Sequence, residues 1–144
     1  MLKTICLLAA GGALWAADPA AFKTASDLAA ALKKRIETGT AQASAPIANE
    51  PRYRVNIVHR GKPGVAMAHA TGPAKGTEVH YIIEGAATVV TGGTLVSAAA
   101  IENGVARHVA KGDVVVIPAG TPHWYKEVDG SVTYLEVRFD VELK

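Results

Sequence analysis

From Pro51 onward, apolar and polar residues alternate with a period of two: Tyr53, Val55 and Ile57 are interleaved with Arg52, Arg54 and Asn56. A strand sends successive side chains to opposite faces, so this is the pattern of a half-buried strand. Val65 to Ala70 reads as a second strand, Glu78 to Glu84 as a third, and Ala86 to Thr91 as its hairpin mate across Gly85. Gly92-Gly93 then turns into Thr94 to Ala98. Val105 to Ala110, Asp113 to Ile117, His123 to Val128 and, past an Asp129-Gly130 turn, Val132 to Phe139 complete the series. Many short strands with regular turn signals predict an all-β sandwich or barrel.

Upstream the period changes. Leu28, Leu32 and Ile36 recur at i, i+4 and i+8, Thr24 or Ser26 can cap the start, and Asp27 suits the N-terminal end of the helix dipole. Lys33-Lys34-Arg35 suits the other end, and Gly39 can stop the helix. So short a helix is marginal alone, and its stripe must dock on the outside of the barrel or on a second subunit. Thr38 to Asn49, rich in Ala and Ser, reads as a linker, which puts helix and linker in 17–50 and the barrel in 51–144.

The first residues address the chain. Lys3 supplies a positive charge, Ile5 to Leu14 is an apolar stretch too short to span a bilayer, and Ala16-Ala17 offers small residues for cleavage. Residues 1–16 therefore read as a signal peptide, and the mature protein is expected in the periplasm or outside the cell. The single cysteine, Cys6, leaves with the signal, so neither a disulfide nor a thiol nucleophile is available. Loss of Lys3 takes the formal charge from +2 to +1. A near-neutral chain without a basic stripe argues against nucleic acid and against electrostatic membrane binding. The chain has no G-x-S-x-G elbow and no glycine-rich phosphate loop.

Candidate chemistry gathers on two strands. Val114 to Ile117 is β-branched, Pro118 ends the ladder by removing an N–H, and Gly120 and Pro122 deliver His123 at a fixed offset to the start of the next strand. Glu78 and His80 share one face of the third strand, whereas Val79, Tyr81 and Ile83 share the other. Polar side chains aimed into a barrel cost free energy unless they are paired or bind a metal. With His69 just ahead of the strand, His69, Glu78, His80 and His123 form a candidate set for one divalent metal among Fe, Mn, Ni, Cu and Zn. Tyr125, two residues past His123, can act beside His80 as proton donor or orienting group. The alternatives are a packed histidine satisfied by a backbone carbonyl at His123, an ordinary strand-edge charge at Glu78, an inward-facing aromatic at His80 and a solvated histidine beside the Gly-Pro loop at His69. His59 and His108 read as surface residues. On the last strand, the apolar row Thr133, Leu135, Val137 and Phe139 is expected to line the barrel, with Tyr134, Glu136 and Arg138 outside.

The spacing G-x5-P-x-G-x2-H from Gly112 to His123 resembles the second motif of the cupin superfamily, with Glu127 where the family pattern has Asn. Glu78 to Gly85 resembles the tail of the first motif, E-x6-G, with Gly85 as the hairpin glycine. Where the family's H-x-H would fall the chain reads Thr71-Gly72-Pro73-Ala74, with only His69 nearby. The resemblance implies a single jelly-roll barrel, a bound transition metal, a small-molecule ligand or substrate and a homodimer. It implies no single reaction, because the family includes dioxygenases, isomerases, lyases and decarboxylases. Three functions stay open: a metal-dependent enzyme, a non-catalytic metal- or ligand-binding domain, and a structural barrel.

Overall fold

The computed structural model describes residues 20–39, 41–64, 67 and 76–140; residues 1–16, the expected signal, and His69 lie outside them. Of the strand expected over Val65 to Ala70, only Met67 is described. It bridges to His123, its N–H donating to the His123 carbonyl at 3.0 Å and its carbonyl accepting from His123 at 2.8 Å.

Helix α1 (Ala25–Ile36) is capped by Thr24, whose hydroxyl accepts the Asp27 N–H. Of its expected stripe, Leu32 docks on the outside of the barrel, buried against Ala43 and Ala45 with half-buried Ile57 beside them, while Ile36 stays exposed. Those alanines belong to β1 (Gln42–Asn49), which pairs antiparallel with β2 (Tyr53–Arg60) from Gln42↔Arg60 to Asn49↔Arg54. The linker expected over Thr38 to Asn49 is thus largely a strand, and the barrel begins at Gln42 instead of Pro51. Ala and Ser are weak strand formers. Here their small side chains let a helix approach one face closely, and pairing to β2 outweighs propensity.

The remaining strands are β3 (Thr77–Thr91), β4 (Thr94–Ser97), β5 (Ala100–Glu102), β6 (Val105–Ala110), β7 (Val114–Ile117) and β8 (His123–Phe139). β4 and β5 form a small separate hairpin; the others make one curled antiparallel sheet in the order β1-β2-β8-β3-β6, with β7 also on β3. β3 and β8 pair along their whole lengths, from Thr77↔Phe139 to Thr91↔His123. The hairpin expected at Gly85 and the turn expected at Asp129-Gly130 are therefore both absent, and each glycine sits inside a continuous strand with φ of 77° and 72°. Positive φ and the register shifts around Gly85 bend the ladder there instead of ending it. The first half of β3 lies between β7 and the end of β8, and its second half lies between β6 and the start of β8. The sheet thereby curls into a jelly-roll barrel, with β1 at one edge and β6 and β7 at the other.

β8 presents the face opposite to the one expected. Direct cross-strand partners share a face, and the register pairs Glu78 with Arg138, His80 with Glu136 and Ile82 with Tyr134. Tyr134, Glu136 and Arg138 therefore point inward with β3's polar pair, and Thr133, Leu135, Val137 and Phe139 point outward. The principal apolar core, built from Val58, Ile82, Ala87, Val89, Val109, Tyr125, Val132 and Tyr134, fills one end of the interior. The polar residues occupy the other.

The two bend glycines can be separated by substitution. A β-carbon at Gly85 would collide with the Ser131 carbonyl, whereas one at Gly130 meets nothing within 4 Å. Gly130→Ala should cost about 1–2 kcal/mol, the strain of a left-handed residue. Gly85→Ala should cost clearly more, because backbone must also move. Chemical denaturation of both variants checks this; equal losses would contradict the bend at Gly85.

Candidate metal and ligand site

The motif around His123 folds as its residues dictate. β7 stops at Ile117, Pro118 follows, and the Thr121 N–H closes the turn onto the Pro118 carbonyl at 3.0 Å. His123 then opens β8 with its ring inward and its Nδ1 3.1 Å from the Thr121 carbonyl. A carbonyl only accepts, so Nδ1 carries a proton, and in the ring's neutral form the lone pair lies on Nε2. That nitrogen is 3.8 Å from Glu78 Oε1. A backbone carbonyl fixing the tautomer behind a ligating imidazole is a common metal-site arrangement.

On β3, Glu78 and His80 are both buried, and His80 Nε2 lies 3.1 Å from Glu78 Oε2. The other ring nitrogen, Nδ1, is 3.1 Å from the Tyr125 hydroxyl. Burial first, and then Tyr134, push the Tyr125 phenol well above its usual range, so it stays protonated as a donor to Nδ1 or an acceptor from it. The rings of His80, Tyr134 and Tyr125 pack in sequence, at 4.7 Å and 4.9 Å between successive centroids. Burial likewise raises Tyr134, to about 12 against the opposing pull of Arg60, whose Nε donates to the Tyr134 hydroxyl at 3.0 Å.

Two residues that the sequence reading placed outside complete this wall. Glu136 accepts from Asn56 Nδ2 at 3.0 Å and reaches within 4.0 Å of His80 Nε2. Arg138 Nη2 lies 3.2 Å from Glu78 Oε1 and 3.9 Å from Glu136 Oε2. Burial alone would raise the Glu78 carboxyl, but the hydrogen bond from His80 and the charges of His123 and Arg138 outweigh it and hold Glu78 at about 2. Together these side chains line a cavity of about 270 Å³ that also takes in Gln42, Ser44, Arg60 and Met67.

The donor set fits a divalent transition metal. Ligand atoms about 2.1 Å from a metal stand roughly 3.0–3.4 Å apart. Glu78, His80 and Glu136 offer atoms within 4.8 Å of one another, and His123 Nε2 adjoins the same carboxylate. Of the four ligands anticipated, the fold brings Glu78, His80 and His123 together, and His69 falls outside the described residues. Of the two histidines read as surface residues, His108 is exposed 3.8 Å from Asp129, whereas His59 is half-buried, 2.9 Å from Thr133 Oγ1. Glu127 is exposed and accepts from Thr88 Oγ1, apart from the site. Sequence reading missed Glu136, Arg138, Asn56 and Arg60; the signal was there in the polar alternation of β2 and β8, once a polar interior is allowed.

Glu78 gives the protein a pH signature. Its folded value of about 2 lies below the ordinary 4.5, so the ionised form contributes stability that is complete above the ordinary value and is lost as pH falls through about 2. Thermal midpoints of metal-free protein should fall between pH 4.5 and 2. Glu78→Gln should start lower at neutral pH and converge on wild type toward the acid end. Parallel curves would contradict the assignment.

Comparison with known proteins agrees with this architecture. Residues 17–137 match the family model described as Cupin. No curated protein sequence matches significantly. Among solved structures, KdgF from Halomonas sp. superposes with a TM-score of 0.54 at 17% identity, over 71% of this chain and 82% of that one. The salicylate 1,2-dioxygenase of Pseudaminobacter salicylatoxidans gives 0.63 at 17% identity, over 81% of this chain but 34% of its own. The Co(II) form of HppE with substrate gives 0.55 at 15%, over 68% and 52%. Identities this low speak for the fold. With the family model spanning helix and barrel together, the chain belongs to the cupin family.

Proposed function

We propose that this protein is an exported, metal-binding cupin that acts as a metal-dependent enzyme on a small organic molecule. The reading is carried by one observation: a carboxylate and two imidazoles, Glu78, His80 and His123, are buried facing one another on the wall of an interior cavity. Glu78, His80 and His123 would hold the metal, with Glu136 and, from the segment ahead of β3, His69 as further donors. A divalent metal there would supply Lewis-acid or redox chemistry. The chain's own part is to orient and to move protons. Tyr125 fixes the His80 ring through Nδ1, Thr121 fixes His123, and Glu136, held by Asn56, can take or return a proton at the cavity surface. Likeness to a dioxygenase and to HppE supports small-molecule chemistry in this fold without choosing a reaction.

A second reading, a ligand-binding barrel without a resident metal, is favoured by Arg138. Its guanidinium already neutralises Glu78 from 3.2 Å. Metal analysis separates the two. The purified protein should carry about one divalent transition metal per chain, and His123→Ala should lower retention by at least about tenfold. Unchanged metal content in the variant would refute the ligand assignment, and a metal-free wild type that still binds small molecules would select the second reading.

The outer face bears on assembly. Val55, Val137, Val79 and Val116 form one apolar row across β2, β8, β3 and β7, with Ile57, Leu135, Tyr81 and Val114 beside it. Helix α1 covers the Ile57 end, but Tyr81 remains 45% exposed and Val116 60%. A second copy of the chain is the cover we assign to this strip. Light scattering should give a dimer for wild type and a monomer for Val116→Lys; a wild-type monomer at tens of micromolar (an order-of-magnitude choice) would contradict it.

A further inference from the structure

Charges in the cavity do not match one for one. Glu78 and Glu136 both lie beside Arg138, at 3.2 and 3.9 Å. Arg60, the other guanidinium on the wall, is 93% buried by virtue of a relative exposure of 7% and has no carboxylate within 4.0 Å among the described residues. A guanidinium carries five N–H donors. Among the described residues only Nε finds an acceptor, the Tyr134 hydroxyl. The chain that follows, Gly61 to Thr77, adds Lys62 and Lys75 and not one acidic residue. The terminal nitrogens of Arg60 belong to a side chain that lines the cavity, where an incoming acceptor can meet them.

The position of the guanidinium is built in. Its carbon lies 5.0 Å from the Tyr125 ring centre and 6.0 Å from that of Tyr134, and His80 packs on the same two rings at 5.8 and 4.7 Å. Both groups are thus referenced to one aromatic pair. Gly64 leaves the room: a β-carbon there would come within 2.6 Å of Arg60 Nη1, and Gly64 is itself pinned to β8 through the Tyr125 carbonyl and the Trp124 indole N–H. Aromatic faces orient a guanidinium edge-on to the space beside them without neutralising its charge.

From this geometry we infer that Arg60 is the anchor for a carboxylate, and that the ligand of the cavity is a small organic acid. The terminal nitrogens of Arg60 meet the carboxylate in the forked geometry that guanidinium offers. The remainder of the molecule then faces Glu78, His80 and His123. A cavity of about 270 Å³ sits at the small end of ligand pockets, which run from about 300 to 1,000 Å³, and so favours a compact acid. The inference deepens the enzymatic reading of the same site and names its substrate class.

The test is calorimetric titration of the full mature chain with acid–amide pairs of equal shape: lactate against lactamide, malonate against malonamide, benzoate against benzamide, with inorganic phosphate as a further arm. At least one acid should bind at least about tenfold tighter than its amide, a difference of about 1.4 kcal/mol. Arg60→Gln, which keeps a donor for Tyr134, should abolish that preference, and Arg60→Lys, which keeps the charge without the fork, should retain part of it. Metal content should be the same in all three proteins. The inference is overturned if no acid is preferred to its amide, if Arg60→Gln keeps the preference, or if phosphate binds tighter than every carboxylate. Metal analysis of the same samples keeps the two failures apart: acid preference without metal sinks only the metal reading, and metal without acid preference sinks only this one.

Discussion

A carboxylate and an imidazole two residues apart on one strand face, both deprived of water, impose most of what is distinctive here. Glu78 and His80 cannot be buried side by side unless their lone pairs and protons are met. The fold meets them with Arg138 and Glu136 from the end of β8 and with Tyr125 and His123 from its start. The two pairs lie at opposite ends of one long strand. The polar interior thus acts as a constraint on register: sliding β8 by one residue against β3 would exchange Arg138 and Glu136 for Val137 and Leu135 and leave Glu78 buried beside hydrocarbon.

The long pairing of β3 with β8 serves that constraint. Because both strands run through the bends at Gly85 and Gly130 without interruption, one ladder carries the apolar core at one end and the charged cluster at the other. Tyr125 and Tyr134 join the two regions, packing as part of the core while their hydroxyls meet His80 and Arg60. Rigid aromatic packing behind a polar cluster is what holds donor atoms to within a fraction of an ångström of a working arrangement.

Much of this was legible in the chain, and the exceptions have physical causes. The β-branched run before Pro118, the spacing to His123 and the inversion of polarity at Glu78 and His80 read correctly because each is a local signal. The helix read correctly because its cap, stripe and basic end agree. β1 was hidden because Ala and Ser carry little strand signal, and only pairing with β2 and cover from Leu32 make that segment a strand. Gly85 and Gly130 were taken for turns because positive-φ glycine marks a bend in either case; whether the strand continues depends on a partner more than forty positions away in sequence, as in Gly85↔Val132. The face of β8 was misread because an apolar row is ordinarily the buried one, while in this barrel the outward rows of β2, β3, β7 and β8 are apolar too. Arg60, Glu136 and Arg138 became visible only with the register.

If the buried cluster is a metal centre and not merely a satisfied polar core, the metal sits against Glu78 and His123. Anomalous diffraction at the absorption edge of whichever metal accompanies the protein tests this most directly. The expected result is one strong peak within about 2.3 Å of Glu78 carboxylate oxygen and His123 Nε2, with Arg138 displaced from Glu78. A clean map at that position, with Arg138 still paired to Glu78 in protein grown with added metal, would contradict it.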